Sequence, residues 1–155
     1  MKFKEINPSP RTLMTPGPVE ADPRVLRAMG AHILGQFDPE FTALMNETME
    51  MAKKAGIKKE TIMLDPGIGF AKDLDQNLEL MNHLELLNQW DVPVLLGTSR
   101  KSMIGLTLDL PSDQRVEGTV ATTVSGYMKG CRFFRVHDVK ENIRAMKMIE
   151  AICAK

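Results

Sequence analysis

Apolar positions over the last two-thirds of the chain follow two different spacings. Three short runs of β-favouring residues lie at Thr61–Leu64, Val92–Leu96 and Phe133–Phe134. The residues between and after these runs repeat their apolar positions at helical spacing. Strands that alternate with helices predict an α/β fold with a parallel sheet.

Three helices are predicted after the first strand. The first ends near Trp90 and the second runs from about Gly118 to Lys129. The third begins at Asp138, with Glu141 placed to complete a capping box. Its predicted buried face is Ile143, Met146, Ile149 and Ile152, and that of the first helix is Leu74, Leu78, Met81, Leu84 and Leu87.

The N-terminal part is predicted to be helical. A short helix begins at Asp22-Pro23 and is closed by Gly30. A longer helix follows Asp38 and runs to Ala55, with Gly56 as its stop. One apolar face of this second helix is expected to be buried: Phe41, Leu44, Met45, Thr48, Met51, Ala52 and Ala55.

Composition excludes several classes of function. The 155 residues suit one folded domain, and 20 basic residues balance 20 acidic ones, so no net charge points to nucleic acid or to a membrane surface. No apolar run approaches the roughly 20 residues of a membrane span, and the N-terminus lacks a secretory signal. We therefore expect a cytoplasmic protein in which Cys131 and Cys153 are buried thiols without metal-ligand spacing.

Each predicted strand ends in a polar motif. These motifs are DPGIGF at Asp65–Phe70, LLGTSRKS at Leu95–Ser102 and RVHDV at Arg135–Val139. Parallel α/β proteins place their chemistry at the carboxyl ends of their strands, so the three motifs are candidates for one shared site.

In this order the three motifs resemble the C-terminal part of dihydropteroate synthase, the folate-pathway transferase that joins a pterin to p-aminobenzoate. The resemblance runs from about Ala52 to the C-terminus and implies the last three βα units of a TIM barrel. Three parallel strands cannot close a barrel and leave open edges. The predicted fold is therefore a partial TIM-barrel (βα)3 unit that is preceded by a helical segment and completed by self-association, with a dimer favoured.

The resemblance also implies roles for individual residues. Asp65 and Lys101 match the groups that hold the polar edges of the pterin, and Phe70 and Gly97 match positions lining its slot. Arg135 and His137 match the residues that hold the pyrophosphate, and Ser102 matches a position near p-aminobenzoate.

Plainer interpretations of these residues stay open. Asp65 could cap a turn, Lys101 and Arg100 could be surface charges, and His137 with Asp138 could be a polar cluster at a helix start. The other histidines, His32 and His83, are expected to be structural or surface residues.

A second resemblance covers residues 11–51. RTLMTPGPVEADPRVLRAM at Arg11–Met29 and GQFDPEF at Gly35–Phe41 resemble the N-terminal segment of class V aminotransferases. The pyridoxal-phosphate lysine of that family has no counterpart here, so transaminase chemistry is rejected. The chain is thus interpreted as a chimera of residues 1–51 and 52–155 within one folded domain.

Three functions follow from these resemblances. The first is a catalytically inactive chimera that keeps a half-site for weak binding of phosphate, pyrophosphate or pterin. It has no catalytic residue or cofactor, because the family's Mg²⁺ ligand region is missing. The second is an active transferase whose barrel is restored by self-association or a partner. The third is a structural product of recombined or engineered fragments, without a ligand.

Overall fold

The computed structural model describes Arg24 and residues 38–154. The chain divides into two compact units, Met1–Met45 and Asn46–Lys155, and the features below belong to the second, except for Arg24 and residues 38–45. The helix predicted from Asp22 to Gly30 and most of the aminotransferase-like segment lie outside the described residues. The described α-helices are α1 (Pro39–Lys54), α2 (Leu74–Asn82), α3 (Ser102–Leu108), α4 (Val116–Met128) and α5 (Val139–Cys153).

The sheet is short and parallel. Strand β1 (Leu95–Leu96) pairs with β2 (Phe133–Phe134), with Leu95 opposite Phe133 and Leu96 opposite Phe134. Leu64 adds a parallel bridge to Val94 on the other side of β1. Three successive chain segments are therefore parallel neighbours, as the α/β prediction requires.

The strand predicted at Thr61–Leu64 is wrong except at Leu64. A 3-10 turn occupies Lys59–Thr61 instead. The backbone N–H and the hydroxyl of Thr61 both donate to the Lys58 carbonyl oxygen, at 2.9 and 2.7 Å. This local bonding competes with strand pairing.

The predicted helix ending near Trp90 is split in two. Helix α2 stops at Asn82, and a 3-10 helix covers Leu84–Trp90. A capping box that the sequence reading missed starts α2, because the Asp73 carboxylate accepts from the Gln76 N–H while the Gln76 side chain accepts from the Asp73 N–H. Leu78 was predicted to be buried and is 41% exposed.

The core lies where α2, α3 and the strands meet. Helix α3 was not predicted, although it supplies the buried Met103 and Ile104. Gly126 of α4 lets the helix approach β1, since a Cβ there would lie 2.4 Å from Leu96 Cδ2. The core cluster is Ile68, Leu80, Met81, Leu84, Val94, Leu96, Met103, Ile104 and Cys131.

Two predicted buried faces are wrong. No residue of α1 is buried, and Leu44 and Met51 are 50% and 54% exposed. In α5, Ile143 and Ile152 are 49% and 55% exposed, and the buried residue is Asn142. The amide of Asn142 joins α5 to α4, because Thr123 Oγ1 donates to Asn142 Oδ1 at 2.8 Å, whereas Met146 and Ile149 of the predicted stripe are half-buried.

The two cysteines differ. Cys131 is buried as predicted, and burial raises the pKa of its thiol to about 11. The same prediction for Cys153 is wrong, since this residue is exposed on the last turn of α5, with Sγ 3.8 Å from Met128 Sδ.

Candidate functional site

The DPGIGF turn is held by its own backbone and by two side chains that follow it. Gly67 and Gly69 adopt φ values of +65° and +78°, which residues with a Cβ rarely occupy. The buried Asn77 accepts from the Gly69 N–H at 2.7 Å. Lys72 Nζ donates to the carbonyl oxygens of Gly67 and Phe70, at 3.0 and 3.1 Å. The turn is therefore fixed before any ligand arrives.

Asp65 uses its two carboxylate oxygens differently. Oδ1 accepts from the Gly67 N–H at 2.8 Å, which is the turn-capping role left open above. Oδ2 lies 3.7 Å from Nη2 of Arg135. The residue assigned to the pterin side and one assigned to the pyrophosphate side thus meet in one cluster.

Gly97 makes room for that pairing. A Cβ at Gly97 would lie 3.0 Å from Arg135 Nη2 and 3.3 Å from Nε. The Arg135 backbone N–H donates to the Leu96 carbonyl oxygen at 3.0 Å. The Arg135 side chain therefore begins beside the end of β1, and its guanidinium lies over Gly97.

Lys101 closes the other side of the cluster. Its Nζ donates to the Ile68 carbonyl oxygen and lies 4.5 Å from the centre of the Phe70 ring. The Phe70 ring is 65% exposed, so one face of this flat apolar surface remains accessible. Lys101 is not the plain surface charge considered above.

Positive charge predominates in this cluster. Burial lowers the pKa of Lys101, and Arg135 and Lys72 lower it further, whereas Asp65 raises it. Lys101 is thus influenced by two other cations, Arg135 and Lys72, and by the Asp65 carboxylate. Such an arrangement favours the arrival of an anion, which would relieve the repulsion between them. The sequence reading missed Lys72, whose only signal is its place two residues after the motif.

His137 lies along the same loop at a different position. Its Nδ1 is 2.8 Å from Ser99 Oγ, and its backbone N–H donates to the same oxygen at 3.1 Å. Arg135 therefore lies against Gly97 and His137 against Ser99, which is the two-residue period expected of a strand end. Ser102 is exposed at the first position of α3.

Arg100 and Asp138 form an ion pair beside these residues. Arg100 Nε and Nη2 donate to the two carboxylate oxygens of Asp138, at 3.0 and 2.5 Å. This hydrogen bonding raises the pKa of Arg100 and lowers the pKa of Asp138. The capping box predicted for α5 is wrong because the Asp138 carboxylate is engaged by Arg100 instead.

The described residues do not assemble a metal centre. No three of their His, Cys, Asp or Glu side chains converge, and the cluster offers one carboxylate, Asp65, beside the cations Lys72, Lys101 and Arg135. The residues of this cluster therefore do not fit Mg²⁺, and no chemical step is derived through it. Within the same part of the chain, no helix has the length and apolar character to cross a membrane.

Comparison with known proteins gives a consistent result. A family model described as pterin binding enzyme matches residues 27–137. The dihydropteroate synthases of Clostridium beijerinckii and Bacillus subtilis are 61% and 48% identical, covering 70% and 76% of this chain and 40% and 41% of their own lengths. A structure of the Yersinia pestis enzyme with a pterine–sulfa conjugate is 43% identical with a TM-score of 0.70, covering 74% of this chain and 44% of that one.

These comparisons bear on two earlier inferences. The chain spans about two-fifths of the length of the relatives that it matches. The comparisons give no support to the aminotransferase resemblance. Residues 27–51 of the aminotransferase-like segment lie inside the match to the pterin binding enzyme family.

Proposed function

We propose a function for this chain, which belongs to the pterin-binding enzyme family. It carries half of a dihydropteroate synthase-type site and binds a pterin and a phosphate-type anion. The observation that carries this proposal is the cluster of Lys72, Lys101 and Arg135 around Asp65, at the carboxyl ends of neighbouring parallel segments. Fold alone would not support it, since one fold hosts many functions.

The pterin half would use Asp65, Phe70, Gly97 and Lys101. A carboxylate accepts two hydrogen bonds from an N–C–NH₂ edge, and an ammonium donates to ring acceptors. Asp65 Oδ2 has only a loose contact with Arg135, at 3.7 Å between partly exposed side chains, so releasing it costs little. Phe70 offers an exposed ring on which a flat heterocycle can stack.

The anion half would use Arg135, His137 and Lys101. An incoming phosphate-type anion would replace Asp65 as the partner of Arg135 while Asp65 turns to the pterin. Each ligand therefore favours binding of the other, because the anion binds Arg135 and frees Asp65, and the pterin binds Asp65 and frees Arg135. We expect positive cooperativity between pterin and pyrophosphate.

Turnover by this chain alone is not part of the proposal. The resemblance assigns the metal-binding Asn and the flexible loops over the substrates to the family's N-terminal half, and the chain matches two-fifths of its relatives. Catalysis requires all these groups at once. Product formation from the pterin pyrophosphate and p-aminobenzoate above background would contradict this part.

Calorimetric titration of pyrophosphate into the 155-residue chain tests the anion half. We expect dissociation constants in the high-micromolar to millimolar range, equivalent to about 4–6 kcal/mol. Arg135→Ala should lose most of this binding, whereas Arg132→Ala should keep it, because Arg132 lies over Tyr127 at 5.4 Å and not in the cluster. Equal binding by wild type and Arg135→Ala would show that the site lies elsewhere.

Self-association offers a second candidate function, the restored transferase. An apolar groove of about 620 Å³ lies beside β2 and α5, and Val139 and Ile143 are 55% and 49% exposed there. A second copy that covers this groove would also stand next to Arg135, which lines it. A chain that binds neither ligand would leave the third alternative, a structural product.

A further inference from the structure

Two contacts join Ser99 Oγ to His137, one to its backbone N–H and one to its ring. A backbone N–H can only donate, so Ser99 Oγ accepts from the His137 N–H at 3.1 Å. The hydroxyl hydrogen of Ser99 then remains for the other contact, with Nδ1 of the imidazole at 2.8 Å. Ser99 Oγ also has a second lone pair, so the tautomer of the ring decides the direction: the hydroxyl donates to a bare Nδ1, or a protonated Nδ1 donates to Ser99 Oγ.

The direction of this bond and the tautomer of the neutral ring are tied to each other. When Nδ1 accepts, the single ring hydrogen of a neutral imidazole sits on Nε2. Ser99 is buried and His137 is exposed, so Ser99 holds the inner side of the ring while solvent and ligands can reach its outer side. The neutral ring then presents an N–H donor, which suits an anion better than a lone pair does.

The backbone on both sides of this contact is clamped. Arg100 has a φ of +57°, a left-handed conformation that is uncommon for residues other than glycine. Its N–H donates to Thr119 Oγ1 at 3.1 Å, its carbonyl accepts from Arg115 Nη1 at 2.9 Å, and its side chain pairs with Asp138. The residues that follow Ser99 and His137 are thus joined to each other, which holds hydroxyl and imidazole in register.

We infer that Ser99 is a positioning residue of the anion half of the site. It holds His137 as the Nε2–H tautomer and thereby makes the neutral imidazole a donor to a phosphate-type anion. This inference rests on the proposed function for its ligand, but the Ser99–His137 contact can be measured without any ligand.

Nitrogen-15 NMR of labelled histidines in the full chain tests the contact. At about pH 8.5, where a free imidazole is neutral, wild-type His137 should be a single Nε2–H tautomer with a hydrogen-bonded Nδ1. Ser99→Ala should release the ring to a mixture of tautomers, and Ser99→Thr should restore the single state. His137→Gln identifies the signal among those of His32 and His83.

Pyrophosphate titration then tests the consequence. Ser99→Ala should bind pyrophosphate about three- to tenfold more weakly, with recovery in Ser99→Thr. Thr98→Val is the matched control, since it removes a neighbouring buried hydroxyl that pairs with Thr122 rather than with His137. Circular dichroism melts would show which variants remain folded.

Two results would overturn the inference. One is an Nδ1–H tautomer in the wild type, and the other is unchanged pyrophosphate affinity in a folded Ser99→Ala variant. If Arg135→Ala still abolished binding in the second case, the proposed half-site would stand without Ser99. If the wild type bound no pyrophosphate, the half-site proposal and the ligand named here would both fail, whereas the NMR result would still report on the Ser99–His137 contact.

Discussion

At the scale of single residues, the site combines groups that the motifs indicate with groups that only the fold brings in. Asp65, Lys101 and Arg135 stand out in the sequence because each follows an apolar run and carries a charge. Ser99 and Asp138 lie in the same motifs, but their partners His137 and Arg100 are 38 residues away along the chain. Spacing within a motif cannot predict such pairs. Gly126 is similar, because its role depends on the neighbouring strand.

Gly126→Ala provides a test at this scale. Alanine normally stabilises a helix interior relative to glycine by about 1 kcal/mol. Here its Cβ would lie 2.4 Å from Leu96 Cδ2, so overpacking should instead lower the free energy of unfolding by about 1–3 kcal/mol. Urea denaturation measures the change, with Ser125→Ala as a control on the same helix that should move it by no more than about 0.5 kcal/mol. A stabilised Gly126→Ala variant would place β1 and α4 further apart than described.

At the scale of elements, the sequence predicted which segments are strands and helices better than it predicted their faces. The α4 and α5 helices occur close to their predicted positions, whereas Thr61–Leu64 is reduced to a bridge and α3 was missed. Helix α3 has seven residues, too few for a clear helical period. Helix α5 begins where predicted, but the carboxylate of its N-cap residue Asp138 binds Arg100, a partner from another segment that the spacing of Asp138 and Glu141 could not indicate.

The Arg100–Asp138 pair makes a prediction about pH. The pairing lowers the folded-state pKa of Asp138 below its unfolded value, so its contribution to stability is present above the unfolded value of about 4. That contribution is lost as the pH falls through the lowered folded value. Wild type should therefore be more stable than Asp138→Asn between about pH 5 and 8, and the difference should shrink below about pH 4.

Denaturation across this pH range checks the prediction. Arg100→Gln should remove most of the pH-dependent difference, since the hydrogen bonds from Arg100 are its main cause. If Asp138→Asn still changed the pH dependence of stability by the same amount in the Arg100→Gln background, a group other than Arg100 would be its cause.

At the scale of the whole molecule, the resemblance predicted a partial barrel, and the related structures are dihydropteroate synthases. The predicted α/β class is confirmed, and the described strands form a two-stranded sheet in which β2 pairs with β1 alone. The open edges were expected from the sequence, but which apolar residues stay uncovered was not. Helix α5 was expected to bury an apolar stripe, but no described element covers Ile143 or Ile152 fully.

Self-association should follow from this exposed surface. Phe133, Val139 and Ile143 are each about half exposed next to the open edge of β2, and covering them would remove apolar area from water. Light scattering should give a mass of twice the 17.3 kDa chain, and Ile143→Glu should shift it towards one chain. Leu106→Glu, on α3, is the control. A single-chain mass across a wide concentration range would rule out the dimer.

We expect one cluster at the strand ends to bind both a pterin and a phosphate-type anion. Backbone chemical-shift mapping on the 155-residue chain tests it most directly. Pterin should shift the amides of Gly67, Gly69 and Phe70, and pyrophosphate those of residues 97–101 and 135–137. Shifts that fell instead around the separate cavity lined by Met49, Ile57, Ile62 and Trp90 would contradict binding at this cluster, as would the absence of any shift with either ligand.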